Sequence, residues 1–280
     1  MIYGAGKYQY EKCVGWGAER ILGIATGVAV NSDNYVYVVD REPNPAVVVY
    51  DSNGLVLNEW GQDILIYPHE IWIDKEDQVY IPDCGTNTVR IFTKNGDFVQ
   101  TLGTVNQVGN LGLPFNKPTR VVKGPSGDFY ISDGYGQCYV HQITQSGNLI
   151  KSWGGRGSSP GMFTLPHNIC PTSDGRLLVA DREPNNRIQV FDSEGELLSV
   201  WNGRPQPCGI FVDSENIVYL AEGGGVSILD MNGSLITQWV VTGGPENIPH
   251  GPHGIWVDKE GNIFVGEVGV ENLIHKFARI

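Results

Sequence analysis

One unit recurs six times along this chain of 280 residues, and that repetition limits its fold more than any other feature. Each unit begins at a turn with Pro or a small residue, runs through an apolar strand and a polar turn, and reaches a second strand that ends in an acid. A third apolar strand, another Gly or Asn turn and a fourth strand, often closing on Trp-Gly, complete it. The second-strand acid falls at Asp40, Asp83, Asp133, Asp181, Glu222 and Glu267, at intervals of 43, 50, 48, 41 and 45 residues. Such a period is that of one four-stranded propeller blade. In the fourth unit Arg187 and Gln189 alternate with Ile188 and Val190, the period of a half-buried strand.

The pattern predicts an all-β chain folded as a six-bladed β-propeller, with residues 1–280 as a single domain. The sixth unit stops at Ile280 after its third strand, whereas the chain begins with Tyr8-Gln9-Tyr10-Glu11-Lys12-Cys13-Val14-Gly15-Trp16-Gly17, which reads as a fourth strand. The N-terminal strand is therefore expected to complete the last blade and close the ring, removing open edges. A content of 37 Gly, 16 Pro and 7 Trp suits many short strands and tight turns.

A net charge of -12 without any Lys or Arg run argues against nucleic acid as a partner. The five cysteines, Cys13, Cys84, Cys138, Cys170 and Cys208, form neither a CxxC pair nor a readable disulfide framework. No apolar run is long enough for a bilayer, and Met1 to Tyr10 lack the apolar core of a signal peptide. The expectation is a soluble monomer without membrane association, cytoplasmic if Met1 is the native start.

Aligned on the second-strand acid, the position fourteen residues earlier reads Thr26, His69, Thr119, His167, Cys208 and His253. Histidine stands in the second, fourth and sixth units only, each time as Pro-His: Pro68-His69, Pro166-His167 and Pro252-His253. That position begins the innermost strand, which lines the channel, so alternate blades would bring three imidazoles to one axial point. Three histidines with a vacant fourth position are the arrangement of a catalytic zinc site. Against this stands a bland reading, in which Pro-His is a hydrogen-bonding turn copied with the repeat; copying would reach neighbouring blades as readily as alternate ones. His141, His250 and His275 fall outside the register and read as surface or core residues.

Just after the second-strand acid, two units carry near-identical text, Asp40-Arg41-Glu42-Pro43-Asn44 and Asp181-Arg182-Glu183-Pro184-Asn185, and a third has Asp133-Gly134-Tyr135-Gly136. Arg41 and Arg182 could present guanidinium forks to a carboxylate at the channel mouth. Tyr135 would lie near the metal as a candidate general base. Each has a structural alternative: the arginines could pair with Asp40, Asp181, Glu42 or Glu183, and the tyrosine could simply cap the channel. The recurring acids themselves read as turn residues.

Leu165-Pro166-His167, Val179-Ala180-Asp181-Arg182-Glu183, Asn186-Arg187-Ile188-Gln189 and Ser132-Asp133-Gly134-Tyr135 together resemble the peptidyl-α-hydroxyglycine α-amidating lyases, or peptidylamidoglycolate lyases, among the NHL-repeat propellers. The resemblance implies six blades and a zinc held by His69, His167 and His253. It also implies a catalytic tyrosine at Tyr135 and active-site arginines at Arg41 and Arg182. The implied reaction cleaves the N–C bond of a peptidyl- or acyl-α-hydroxyglycine to an amide and glyoxylate, so the partner would be a small molecule or a peptide C-terminus. The family's aspartate after the third histidine, which helps hold a structural calcium, is Gly254 here, and calcium loses that support. Gly136 and Val179 stand where animal members have disulfide cysteines. Two other readings stay open: a metal-dependent lyase or hydrolase of a small hydroxy-acid amide, ester or lactone, and a non-catalytic propeller that binds protein.

Overall fold

All six recurring acids end a strand: Val36–Asp40, Val79–Asp83, Phe129–Asp133, Leu177–Asp181, Val218–Glu222 and Ile263–Glu267. These are the second strands of six antiparallel sheets in a computed structural model that describes residues 1–241, 251–269 and 274–280. The architecture is a six-bladed β-propeller, without a helix among the described residues, and none there is long and apolar enough to cross a membrane. Second and third strands such as Val36–Asp40 and Ala46–Tyr50 are buried at every position. Both faces of each blade pack on a neighbouring blade, so these segments are apolar almost without interruption. The outer strand Val56–Trp60 is only partly covered, and its composition turns mixed.

The acid at the end of the second strand has a local function. Its carboxylate accepts hydrogen bonds from backbone N–H groups of the segment leading into the innermost strand. Asp83 holds Ile66 and Tyr67 at 3.0 and 2.9 Å, Asp181 holds Thr164 and Leu165 at 2.9 and 3.1 Å, and Asp40 holds Gly23 and Ile24. The aspartates of the first four blades therefore recur because they satisfy donors that the sheet ladder leaves unpaired, Asp133 taking the Asn116 N–H at 2.8 Å, whereas Glu222 of the fifth pairs with Arg204. The tryptophan that ends the fourth strand also has a physical cause. A Cβ on Gly96 would sit 2.4 Å from the Trp60 ring, and one on Gly233 would sit 2.5 Å from Trp201. The tryptophan of one blade thus packs on the glycine turn of the next, and only glycine leaves room for it.

Ring closure follows the expected route. Tyr8–Lys12 pairs antiparallel with Ile274–Arg279, Tyr10 opposite Arg279 and Lys12 opposite Phe277. Two details differ from the sequence expectation. The closing strand stops at Lys12, because the chain turns through Gly15 and Gly17 at φ of 79° and 73°. Trp16 is therefore a wedge, its Nε1 donating to the Ser52 carbonyl at 3.0 Å and its ring against Tyr50 and Phe264. Ahead of it, Ile2–Ala5 adds a fifth, outermost strand to the last blade.

Candidate metal centre and active site

The innermost strands carry a β-bulge where the histidines stand. In the fourth blade Pro166 faces Asp181 and Asn168 faces Ala180, so His167 is the extra residue; the sixth blade slips register between Pro252 and Ile255, around His253. A bulge re-aims the side chain it carries, and here the ring points to the axis. His69 precedes the short strand Trp72–Ile73, tied by its N–H to the Pro82 carbonyl at 2.9 Å. The three imidazoles form a near-equilateral triangle, with ring centroids 4.7, 4.8 and 4.8 Å apart. One ring nitrogen from each lies within 4.8 Å of the others.

What aims the rings is the register itself. His69 Nδ1 bonds to the carbonyl of Thr119 at 2.7 Å, His167 Nδ1 to that of Cys208 at 2.8 Å, and His253 Nδ1 to that of Thr26 at 2.6 Å. Each acceptor is the residue at the same register position in the following blade. A carbonyl only accepts, so in the neutral ring Nδ1 carries the hydrogen and Nε2 presents its lone pair to the axis. Burial is complete or nearly so, and it drives proton affinity down: His69 and His167 fall well below the ordinary imidazole value and His253 to about 3. Neighbouring histidines push His69 and His167 down further. Neutral imidazoles with converging lone pairs and N–H groups fixed on carbonyls are the state a divalent metal requires. The donor set therefore fits a zinc-type ion, with three nitrogens.

Tyr135 reaches over this triangle. Its hydroxyl lies 2.8 Å from His69 Nε2 and 3.2 Å from His167 Nε2, while the residue as a whole keeps 38% of its surface exposed. The hydroxyl end is the enclosed part, and burial raises its pKa well above the ordinary phenol value, opposed by Arg182 and Arg41. The two arginines occupy equivalent places but different states. Arg182 is held as a fork on Glu183, at 2.9 and 3.0 Å. Arg41 lies 3.7 Å from Glu42 and stacks at 4.6 Å over the Tyr67 ring, and its buried Nε has no hydrogen-bond partner. Asp40 and Asp181 are paired elsewhere, with Arg20 and Arg187.

His141 and His275 are core residues bonded to second-strand acids, Asp133 at 3.2 Å and Glu267 at 2.8 Å; His250 lies outside the described residues. Cys208 shares the histidine register, yet burial pushes its thiol up to about 11, and Cys84 is raised further, so both stay thiols. The sequence reading missed a buried polar layer one residue further along the register, Glu70, Arg120 and Asn168. Its signal was available in the residues that follow His69, Thr119 and His167.

A family model described as NHL repeat matches residues 163–191, which span the His167 strand and the Asp181-Arg182 turn. Human NHL repeat-containing protein 3 is 36% identical over 203 residues, covering 67% of this chain and 58% of the relative. Peptidyl-alpha-hydroxyglycine alpha-amidating lyase 1 of Drosophila melanogaster is 28% identical over 259 residues, 81% of this chain and 47% of the relative. The chain is an NHL-repeat propeller homologous to the amidating lyases. It spans less than two-thirds of the length of these curated relatives. Among solved structures, virginiamycin B lyase from Staphylococcus aureus superposes with a TM-score of 0.62 at 17% identity, over 92% of this chain and 87% of that one. At that identity the likeness concerns the propeller fold alone.

Proposed function

We propose that this NHL-repeat propeller is a metal-dependent carbon–nitrogen lyase that cleaves a peptidyl- or acyl-α-hydroxyglycine to an amide and glyoxylate. The observation that carries the reading is the Tyr135 hydroxyl, placed 2.8 and 3.2 Å from the Nε2 atoms of two of three converging histidines. His69, His167 and His253 would hold zinc. When bound, such an ion supplies Lewis acidity, lowering the pKa of a hydroxyl it touches.

The chain's own groups account for the rest. Burial keeps Tyr135 protonated against the pull of Arg41 and Arg182, so its use as a base calls for positive charge beyond these two guanidiniums. With that charge present, the phenolate oxygen takes the proton of the substrate hydroxyl. The C–O electron pair then forms the aldehyde of glyoxylate, and the C–N pair leaves on the amide nitrogen. The proton taken by Tyr135 is the one that nitrogen gains, so the step balances without a further reactant. Arg41, whose buried Nε makes no hydrogen bond and stands 3.7 Å from Glu42, holds the substrate carboxylate; Arg182 contributes positive field while its fork rests on Glu183.

Incubation of the purified protein with a small N-acyl-α-hydroxyglycine, with glyoxylate quantified before chelation, after it and after zinc restoration, tests the reading. Release above the spontaneous rate that is lost on chelation and restored by zinc is the expected result. A protein that holds zinc yet leaves the substrate intact belongs to another substrate class.

A further inference from the structure

Directly beneath the three imidazoles, the next register position of each blade holds Gly27, Glu70, Arg120, Asn168, Gly209 and Gly254. Half of this layer is backbone packed on backbone: a Cβ on Gly254 would meet the Gly27 Cα and the Thr26 carbonyl at 2.9 Å, and one on Gly209 would meet the His253 carbonyl at 2.3 Å. The other half is charged and closed to solvent, with Glu70, Arg120 and Asn168 exposed by 0, 2 and 1%. Arg120 donates from one Nη to Glu70 Oε2 and to the Ile71 carbonyl, both at 2.7 Å. The Asn168 amide donates to Glu70 Oε1 at 3.4 Å, and that same oxygen lies 3.8 Å from His253 Nδ1.

Glu70 is thus the one side chain of this layer that meets all three histidine-bearing blades. It belongs to the second blade, next to His69; it meets the fourth through Asn168, next to His167; and it meets the sixth through His253 itself. Its ion pair with Arg120 crosses the same blade interface as the bond from His69 to Thr119, the residue before Arg120.

We infer that Glu70 is a positioning residue for the three-histidine centre: it sets the spacing of the histidines through contacts with their three blades. Arg120 fixes the carboxylate in place. This rests on the metal reading above but concerns the geometry of the centre rather than the reaction it serves. Groups in this outer layer of a metal site alter affinity by orienting the ligands.

Co2+ is the probe, because its visible absorption reports ligand geometry, and the full chain is used throughout. Glu70→Gln keeps the shape but turns one of the two acceptor oxygens that serve Arg120 and Asn168 into a donor. The expected result is a folded protein by circular dichroism whose Co2+ Kd is weaker by about ten-fold or more, with a shifted visible spectrum. Since stranding one partner of a buried ion pair is costly, the double variant Glu70→Met/Arg120→Met removes both charges and carries the test if Glu70→Gln does not fold. A folded variant of either kind with wild-type Co2+ affinity and spectrum overturns the inference while leaving the metal centre standing. Failure of the wild-type chain to take up Co2+ overturns the metal reading itself, and the inference with it.

Discussion

His253 Nδ1 bonds to the carbonyl oxygen of Thr26 at 2.6 Å across 227 residues of sequence. One contact therefore does two things: it joins the last blade to the first, and it fixes the tautomer of a candidate metal ligand. The same bond, moved round the ring, orients His69 and His167. Packing one blade on the next and aiming its histidine are one structural event, and for His253 that packing joins the two ends of the ring.

Replacing a ligand should remove the ion without dismantling the ring. His167→Ala is expected to lower bound zinc from about one per chain to a small fraction, as three-nitrogen binding falls to two. Elemental analysis after dialysis measures this, with circular dichroism to show that the sheets persist. Full zinc retention would remove His167 from the ligand set.

Tyr135→Phe separates chemistry from metal binding. Zinc content should stay at the wild-type level while glyoxylate release falls roughly 10²- to 10⁴-fold, the range of a lost general base. The phenyl ring keeps the apolar contact beside His69, so the loss would belong to the hydroxyl. Unchanged release in Tyr135→Phe would take Tyr135 out of the reaction.

The two arginines should not be equivalent. Arg41→Met is expected to lower kcat/KM by about one to two orders of magnitude, since a hydrogen bond to a charged group contributes roughly 1.5–3 kcal/mol. Arg182→Met should cost less in KM, because its fork rests on Glu183. Steady-state kinetics on both variants decides it, and Arg41→Lys should not restore the loss, an ammonium lacking the guanidinium fork.

Acid should weaken the metal-free fold through the histidines. Each is held neutral by burial, with its folded pKa below the ordinary value of about 6.5. Below that value the unfolded chain binds protons that the folded chain refuses, so stability falls as pH drops. The loss begins near pH 6.5 and, for His253, continues to about 3. Glu70, its carboxyl raised to about 7 by burial, acts in the opposite sense over the same range, so the histidine contribution is read as a difference: on going from pH 7 to pH 5 the urea midpoint of chelated His253→Ala should fall less, or rise more, than that of the chelated wild type.

Tyr10 tests the ring closure. It is fully buried, its ring 5.4 Å from that of Trp239 in the fifth blade, and it sits on the strand that completes the sixth. Tyr10→Ala is expected to cost about 3–5 kcal/mol, as for other large aromatic truncations. Denaturant unfolding measures it; a cost under 1 kcal/mol would mean that the closing strand adds little to the ring.

Much of this architecture was legible in the sequence because a repeat states the same local physics six times. The aspartates of the first four blades are readable since those blades have the same unpaired backbone donors to satisfy, as at Asp83 and Asp181. The Pro-His register is readable since equivalent positions in a ring must converge, whatever their separation along the chain. Position alone could not say which way a ring points. That was decided by the β-bulge around His167 and by carbonyls from the next blade. Nor could the near-identical text around Arg41 and Arg182 reveal that one guanidinium is forked on Glu183 while the other stacks on Tyr67 from another blade and leaves its buried Nε without a hydrogen bond, 3.7 Å from Glu42. Glu70 and Arg120 are separate charged residues in the sequence and one ion pair in the channel. The sequence determined which residues come to the axis, because hydrophobic period and turn chemistry are local. The tertiary structure decided how they face, whom they pair with and how readily they hold protons, because hydrogen-bond partners and loss of water exist only once the blades have closed around the channel.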